Sequence, residues 1–193
     1  MKTNWNDFGA RPEWVGYPLM DLTSVPTESG VYCMFDLDDE PAYAGQTGNL
    51  RSRLRQHLIR QDSSVSSYGR LDPRDIASVA WWATEQTDRA EQHLLGEFEP
   101  YLNFASESDP GARSEVIDME NPDGTFLLIT GDEKEFRQQP YNRVKQKLEH
   151  INRMVDKIKH ADHSDDTRRT LYEHKRILEE NLQDLLDVDD TPE

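Results

Sequence analysis

A small α/β domain in the order β-β-α-β-α, followed by a β-hairpin and a C-terminal helical hairpin, is the architecture this 193-residue chain predicts. Three observations carry that prediction. Two short runs of β-branched and aromatic residues flank an acidic turn; leucines at i, i+4 and i+8 follow directly; and from Val144 the apolar positions are spaced 4, 3, 4, 3.

Residues 1–24 read as an irregular lead-in carrying Trp5, Trp14 and Tyr17. Residues 25–105 form the α/β domain, with a three-stranded antiparallel sheet flanked by helices. Its first strand is Val31–Asp36, opened by Ser29-Gly30, and its second is Pro41–Gln46, with residues 37–40 as the turn. Thr47-Gly48-Asn49 supplies helix-start chemistry, and Leu50, Leu54 and Leu58 make one buried stripe of a helix ending near Arg60. The Ser-rich stretch 61–75 reads as a loop, Ile76–Thr84 as a third strand, and Asp88–Phe98 as a second helix capped by Asp88 and stopped by Pro100. In residues 106–140, Asp123-Gly124 is a hairpin turn signal between Val116–Met119 and Thr125–Thr130. Residues 141–193 give two helices with an acidic tail: Val144, Leu148, Ile151, Val155 and Ile158 form one coiled-coil seam. Leu171, Leu178, Leu182 and Leu185, with Lys175 at one core position, form the other. Two helices alone leave such a seam wet, so the pair should dock on the domain or on a second copy, as a homodimer.

The composition describes an acidic protein expected in the cytoplasm. No run approaches the roughly 18 apolar residues of a membrane span, the start lacks a signal peptide's apolar stretch, and Cys33, the single cysteine, excludes an internal disulfide. The net charge of −16 opposes a polyanionic ligand. Its distribution does not: residues 41–61 hold Arg51, Arg53, Arg55 and Arg60 and no acid, whereas 106–140 hold nine acids against three bases. Arginine outnumbers lysine 15 to 7, a pattern that suits a salt-rich cytoplasm as well as an ordinary acidic protein.

Five side chains invite a chemical reading, and each also has a structural one. In the expected register Asp36 faces Pro41, Tyr32 faces Gly45 and Met34 faces Tyr43, so both phenols project from one face; strand tyrosines also serve simply as packing. Arg53 and His57, four apart, share a helix face. An arginine fork suits a phosphate and a neutral histidine accepts a proton near pH 7, yet a solvated basic face has the same pattern. Glu91 could hold Mg²⁺, or could close a capping box with Asp88.

Order and spacing distinguish these readings. Gly30-Val31-Tyr32, then Tyr43-Ala44-Gly45, then Asn49 to Leu54 with Arg53 and His57, then Glu91 through Pro100-Tyr101-Leu102-Asn103 resembles the GIY-YIG nuclease family over about residues 28–104. The resemblance implies a Mg²⁺-dependent endonuclease of DNA, with Mn²⁺ as an alternative ion. Tyr32 matches the tyrosine near the attacking water, Tyr43 the one beside the scissile phosphate, Arg53 the phosphate-binding arginine and Glu91 the lone metal carboxylate. His57 falls where many members have a third tyrosine and some restriction-type members a histidine; Gly30, Gly45 and Asn103 match supporting positions. Arg51, Arg55 and Arg60 are the candidate nucleic-acid contacts. Two departures stand out: Ala44 replaces the usual isoleucine or valine, and Gln46 stands where many members carry lysine, a loss that Arg51 or Arg55 would have to offset. The alternative readings are a weak or inactive nuclease fold that binds nucleic acid or a protein partner, or an adaptor for a C-terminal interaction arm. Without a multi-cysteine zinc domain, and too short for the large repair nuclease of the family, the chain is expected to be a free-standing restriction, repair or mobile-element nuclease.

Overall fold

The computed structural model describes residues 22–67, 70–104, 116–129, 131–160 and 165–186. Trp5, Trp14 and Tyr17, and the acidic tail 187–193, lie outside these residues. Strands β1 (Gly30–Asp36) and β2 (Pro41–Thr47) pair antiparallel, with Tyr32 opposite Gly45 and Met34 opposite Tyr43 as expected. At the turn the expected register fails. Pro41 faces Phe35 rather than Asp36, because the ladder is interrupted between Met34 and Phe35. Asp36 is used differently: its carboxylate accepts from the N–H groups of Asp38 (2.9 Å) and Glu40 (3.0 Å) and organises the turn.

Helix α1 (Leu50–Arg55) starts at Asn49, whose Oδ1 accepts from the Ser52 N–H at 2.9 Å. It runs without a break into one π-helical turn, Gln56–Arg60, which buries His57 and Leu58 and closes at Gln61 with a left-handed φ of 55°. A short helix, α2 (Ser64–Ser67), occupies part of the stretch expected as loop. β3 (Ile76–Ala83) pairs with the other side of β1, and α3 (Thr87–Phe98) follows. Its N-cap is Gln86, without a side-chain cap, so Asp88 does not cap the helix as expected; it lies inside the first turn.

Alternation along the strands divides the core in two. Tyr32, Met34, Val79 and Trp81 pack under α1 with Leu50, Leu54 and Leu58. Val31, Cys33, Ala80 and Trp82 pack under α3 with Ala90, Leu94 and Leu95. The extension completes the sheet as β4 (Gly124–Leu127), giving the order β2-β1-β3-β4. Its other limb, 116–119, expected as a strand, is irregular: the Asp118 carboxylate accepts from Glu120 and Asn121 and curls the chain, while Trp82 Nε1 donates to the Asp118 carbonyl.

The helices α4 (Gly131–Gln138), α5 (Pro140–His160) and α6 (Asp165–Leu186) follow. The hairpin of α5 and α6 docks on the domain, but not by the expected seam. On α5 the buried face is Arg143, Lys147, His150 and Met154, and on α6 it is Thr170, His174, Ile177 and Asn181. Each set lies one residue ahead of the apolar repeat, of which only Val144 is itself buried. Leu148 and Val155 are consequently 51% and 47% exposed.

The cause is charge at one end of the sheet. Asp38, Asp72 and Asp75 project there from the turn and from the approach to β3. Arg143 pairs with Asp38 and Asp75, Lys147 with Asp75, and Arg153 with Asp72 at 3.0 Å. Arg143 and Lys147 are each only 1% exposed, so their ammonium and guanidinium groups cannot be left to water. Rotating the helix by one position to match these carboxylates leaves apolar area wet, but satisfies charges whose isolation would cost several kcal/mol each.

His150 and His174 meet edge to face at 4.3 Å between the two helices. His174 Nε2 donates to the Arg70 carbonyl at 3.0 Å, and burial, then the Lys147 charge, pushes its pKa down to about 3.

Removing the central carboxylate, Asp75→Ala, should destabilise the fold by about 3–5 kcal/mol by leaving Lys147 buried without its carboxylate and Arg143 with Asp38 alone; denaturant unfolding measures it. Acid should act early. His57 and His174 stay neutral when folded (both near 3) but take up protons below about 6.5 when unfolded, so stability falls as pH drops from 6.5 towards 3. Asp36, held up to about 6 chiefly by burial, acts in the opposite direction, one group against two. A melting temperature that is flat from pH 6.5 to 4 would contradict this.

Candidate active site

The site forms where α1 crosses the face of β1 and β2. Tyr32 and Tyr43 stand as diagonal neighbours with ring centroids 6.3 Å apart, and His57 comes down from the π turn to 5.6 Å from Tyr32 and 5.5 Å from Tyr43. Tyr32 is fully buried and its Oη lies 2.7 Å from His57 Nε2. Gly45 permits this: a Cβ there would fall 2.6 Å from that phenol oxygen. At Gly30 a Cβ would meet the Trp82 carbonyl oxygen at 2.4 Å, so the strand pairing itself requires glycine.

The electrostatics follow from burial. Burial drives the Tyr32 phenol well above its ordinary value and raises Tyr43, with the Glu91 charge adding to both and Arg53 opposing. His57 is pushed down to about 3, first by burial and then by the Arg53 charge. At neutral pH the cluster therefore holds two protonated phenols and a neutral imidazole. Arg53, half-buried, makes one long contact to Gln56 Oε1 (3.3 Å) and adds positive charge beside the rings.

Glu91 reaches the site from α3, on the opposite face, around the edge strand β2. It is not folded back on Asp88. Its Oε2 accepts from Gln46 Nε2 at 3.0 Å, and the same amide donates to Asp88 Oδ1 at 2.8 Å. Burial raises the Glu91 carboxyl while the Gln46 amide opposes that rise. Gln46 therefore orients the carboxylate through a neutral donor. Asn103 pairs along the outer edge of β2, accepting from the Ala44 N–H (2.9 Å) and donating to the Ala44 carbonyl (2.8 Å), which fixes the backbone between Tyr43 and Gly45.

The remaining arginines divide. Arg51 is held by backbone: its Nε donates to the Val25 carbonyl (2.7 Å) and its Nη2 to Thr23 (2.9 Å). Arg55 and Arg60 are exposed. Sequence reasoning missed three groups near the cluster. Ser63 Oγ lies 2.8 Å from His57 Nδ1, Ser66 joins it, and Arg70 adds charge near Tyr43 while pairing with Asp166 at 3.1 Å. A Ser-rich loop after a histidine carries no spacing rule that would reveal such contacts.

A divalent ion fits the donor set. Among the described residues no three His, Cys, Asp or Glu side chains converge as a metal cage. A single hard carboxylate at the edge of the cluster suits Mg²⁺, which keeps most of its waters and takes remaining oxygens from a substrate phosphate.

Residues 28–104, which carry these two phenols, the imidazole, the arginine and the carboxylate on a β-β-α-β-α frame, match the family model of the GIY-YIG catalytic domain. The chain also resembles UvrABC system protein C: 33% identity over 91 residues to the protein of Synechococcus sp. (strain CC9311), covering 46% of this chain and 14% of the relative. To that of Caldicellulosiruptor saccharolyticus it is 32% over 91 residues (46% and 15%), and to that of Helicobacter hepaticus 34% over 62 residues (32% and 10%). The matched stretch thus spans about a seventh or less of the length of these relatives. No solved structure matches the chain.

Gly45→Ala should displace the Tyr32 phenol from His57 without unfolding the sheet. The expected readout is loss of that hydrogen bond by NMR and a fall of about 100-fold in phosphodiester cleavage; an unaltered hydrogen bond and rate would show that the close approach is unimportant.

Proposed function

We propose that this protein is a Mg²⁺-dependent endonuclease that hydrolyses phosphodiester bonds in DNA. The observation that carries the reading is the 2.7 Å contact of Tyr32 Oη with a neutral, buried His57, beside Arg53 and within the field of Glu91. A core assembled only for packing has no need of an imidazole held uncharged among phenols, next to a cation and an anion.

In this reading Arg53 holds the scissile phosphate and stabilises the charge that builds on its oxygens. The attacking water gives its proton to the Tyr32 oxygen as the Tyr32 proton passes to His57 Nε2. The hydroxide forms the new bond to phosphorus, the ester oxygen leaves, and solvent protonates it. An imidazole with so low a pKa accepts that proton only as negative charge develops on the phosphate beside it. Glu91 holds the ion, oriented by Gln46. When bound, Mg²⁺ stabilises the leaving oxygen. Tyr43 packs and hydrogen-bonds beside the phosphate, and Asn103 supports it through the backbone of β2. Arg55 and Arg60 supply the outer phosphate contacts; Arg51 has its donors on backbone and serves the fold.

Among the described residues no helix is long and apolar enough to cross a membrane. The half-exposed stripe of Leu148 and Val155 on α5 favours pairing of two copies through the C-terminal helices, which would bring two active sites to one duplex.

Wild-type protein should nick supercoiled plasmid with Mg²⁺ and not with EDTA, and Glu91→Ala should lose at least about 100-fold. Salt is varied because the protein is acidic; no metal-dependent cleavage at any salt concentration would sink the proposal. The paired change Leu148→Glu and Val155→Glu should convert a dimer to a monomer by light scattering, and a wild-type monomer would remove the dimer.

A further inference from the structure

Beyond the five side chains that define the site, a second layer of hydroxyls reaches it. Ser63 and Ser66 are buried, at 6% and 7% exposure. Four contacts link the two serines to each other and to the histidine. His57 Nδ1 is 2.8 Å from Ser63 Oγ; Ser63 Oγ is 2.9 Å from Ser66 Oγ; Ser66 Oγ is 3.1 Å from the His57 carbonyl oxygen; and the Ser66 N–H points to Ser63 Oγ at 3.3 Å.

Counting protons along this ring fixes its direction. A carbonyl oxygen only accepts, so Ser66 Oγ–H must donate to the His57 carbonyl. Ser66 then has no proton for Ser63, so Ser63 Oγ–H donates to Ser66. Ser63 has spent its single proton, and towards His57 it can only accept. His57 therefore carries its proton on Nδ1, and Nε2 is left with a lone pair. Among the described residues the hydrogen-bond partner of that lone pair is Tyr32 Oη, which must be the donor. Each hydroxyl donates once, and Ser63 accepts twice, from Nδ1–H and from the Ser66 N–H, which fills its capacity.

We propose that Ser63 and Ser66 are positioning residues of the active site: together they lock His57 in the Nδ1–H tautomer, so that Nε2 faces Tyr32 as the proton acceptor. The inference rests on the proposed nuclease reading for its catalytic meaning, but the tautomer is a property of the free protein. The geometry gives an orienting role that in other enzymes a carboxylate fulfils to a pair of neutral hydroxyls. A neutral partner does not favour imidazolium as a carboxylate would, which agrees with a histidine kept uncharged by burial until substrate charge arrives.

The two serines are not equivalent. In Ser63→Ala, Nδ1 loses its acceptor and both tautomers become accessible. In Ser66→Ala, Ser63 is relieved of its acceptor and turns its proton to Nδ1; this forces the proton onto Nε2, where it confronts Tyr32. Ser66, though farther from the reaction, should be the more damaging loss.

The test is ¹⁵N–¹H correlation NMR of the histidine ring in the full chain, combined with cleavage kinetics. Wild-type His57 should show a protonated Nδ1 and an unprotonated Nε2. Ser66→Ala should invert that pattern and Ser63→Ala should mix it; Ser66→Thr, which restores the hydroxyl, should restore the pattern. Cleavage should fall in kcat, by up to about 100-fold in Ser66→Ala and less in Ser63→Ala, with KM unchanged. A wild-type Nε2–H tautomer, or a tautomer indifferent to both serines, overturns the proposal, as does a Ser66→Ala enzyme with full kcat. Should wild-type protein cut no DNA, the nuclease reading fails by itself and the NMR pattern alone decides the role of the serines.

Discussion

The pairing of β1 with β2 in one register is the constraint on which the site depends. It puts Tyr32 across from Gly45 and Met34 across from Tyr43. Because strand side chains alternate, a slip of one residue would send Tyr32 to the α3 face and remove it from His57. Gly45 reinforces the choice, since the phenol of Tyr32 occupies the volume where any Cβ would stand. The edge position of β2 matters equally. Only around an open edge can Glu91, carried by a helix on the far face, share a field with two tyrosines on the near one.

Burial then sets the chemistry. Tyr32 and His57 are both buried, and burial holds both groups in their neutral forms. Neutrality makes the direction of each hydrogen bond a matter of proton counting, and the serine ring decides it. Gln46 has a parallel part on the other side, orienting a carboxylate without adding charge. Glu91 therefore keeps an orienting donor at position 46, although that donor carries no charge.

The C-terminal helices show what happens when two sequence signals compete. An apolar 4-3 repeat and a basic 4-3 stripe (Arg143, Lys147, His150) run one residue apart along α5, and the basic stripe is the one turned inwards. Exposed leucine loses only part of its transfer free energy, about 1.5–3 kcal/mol at most. A buried carboxylate such as Asp75 without its cations costs more. The consequence is a hairpin anchored to the catalytic domain by ion pairs, with its leucines half in solvent.

The sequence by itself determined the order of the elements, the Tyr32–Gly45 register and the Tyr32, Tyr43, Arg53, His57, Glu91 set, because period-2 and period-3.6 patterns and motif spacing are local properties of the chain. It also left Glu91 open between a helix cap and a site ligand, gave no sign of the backbone contacts of Arg51, drew a hairpin at 116–130 and chose the leucine seam. Each of these depends on what lies across space: Gln46 reaching Glu91, the carbonyls of Thr23 and Val25 reaching Arg51, the β3 edge accepting one strand, and a cluster of aspartates waiting for α5. The serine ring belongs with them. Ser63 and Ser66 acquire a role only where the π turn, the left-handed Gln61 and α2 bring the chain back over His57, and no residue spacing encodes that return.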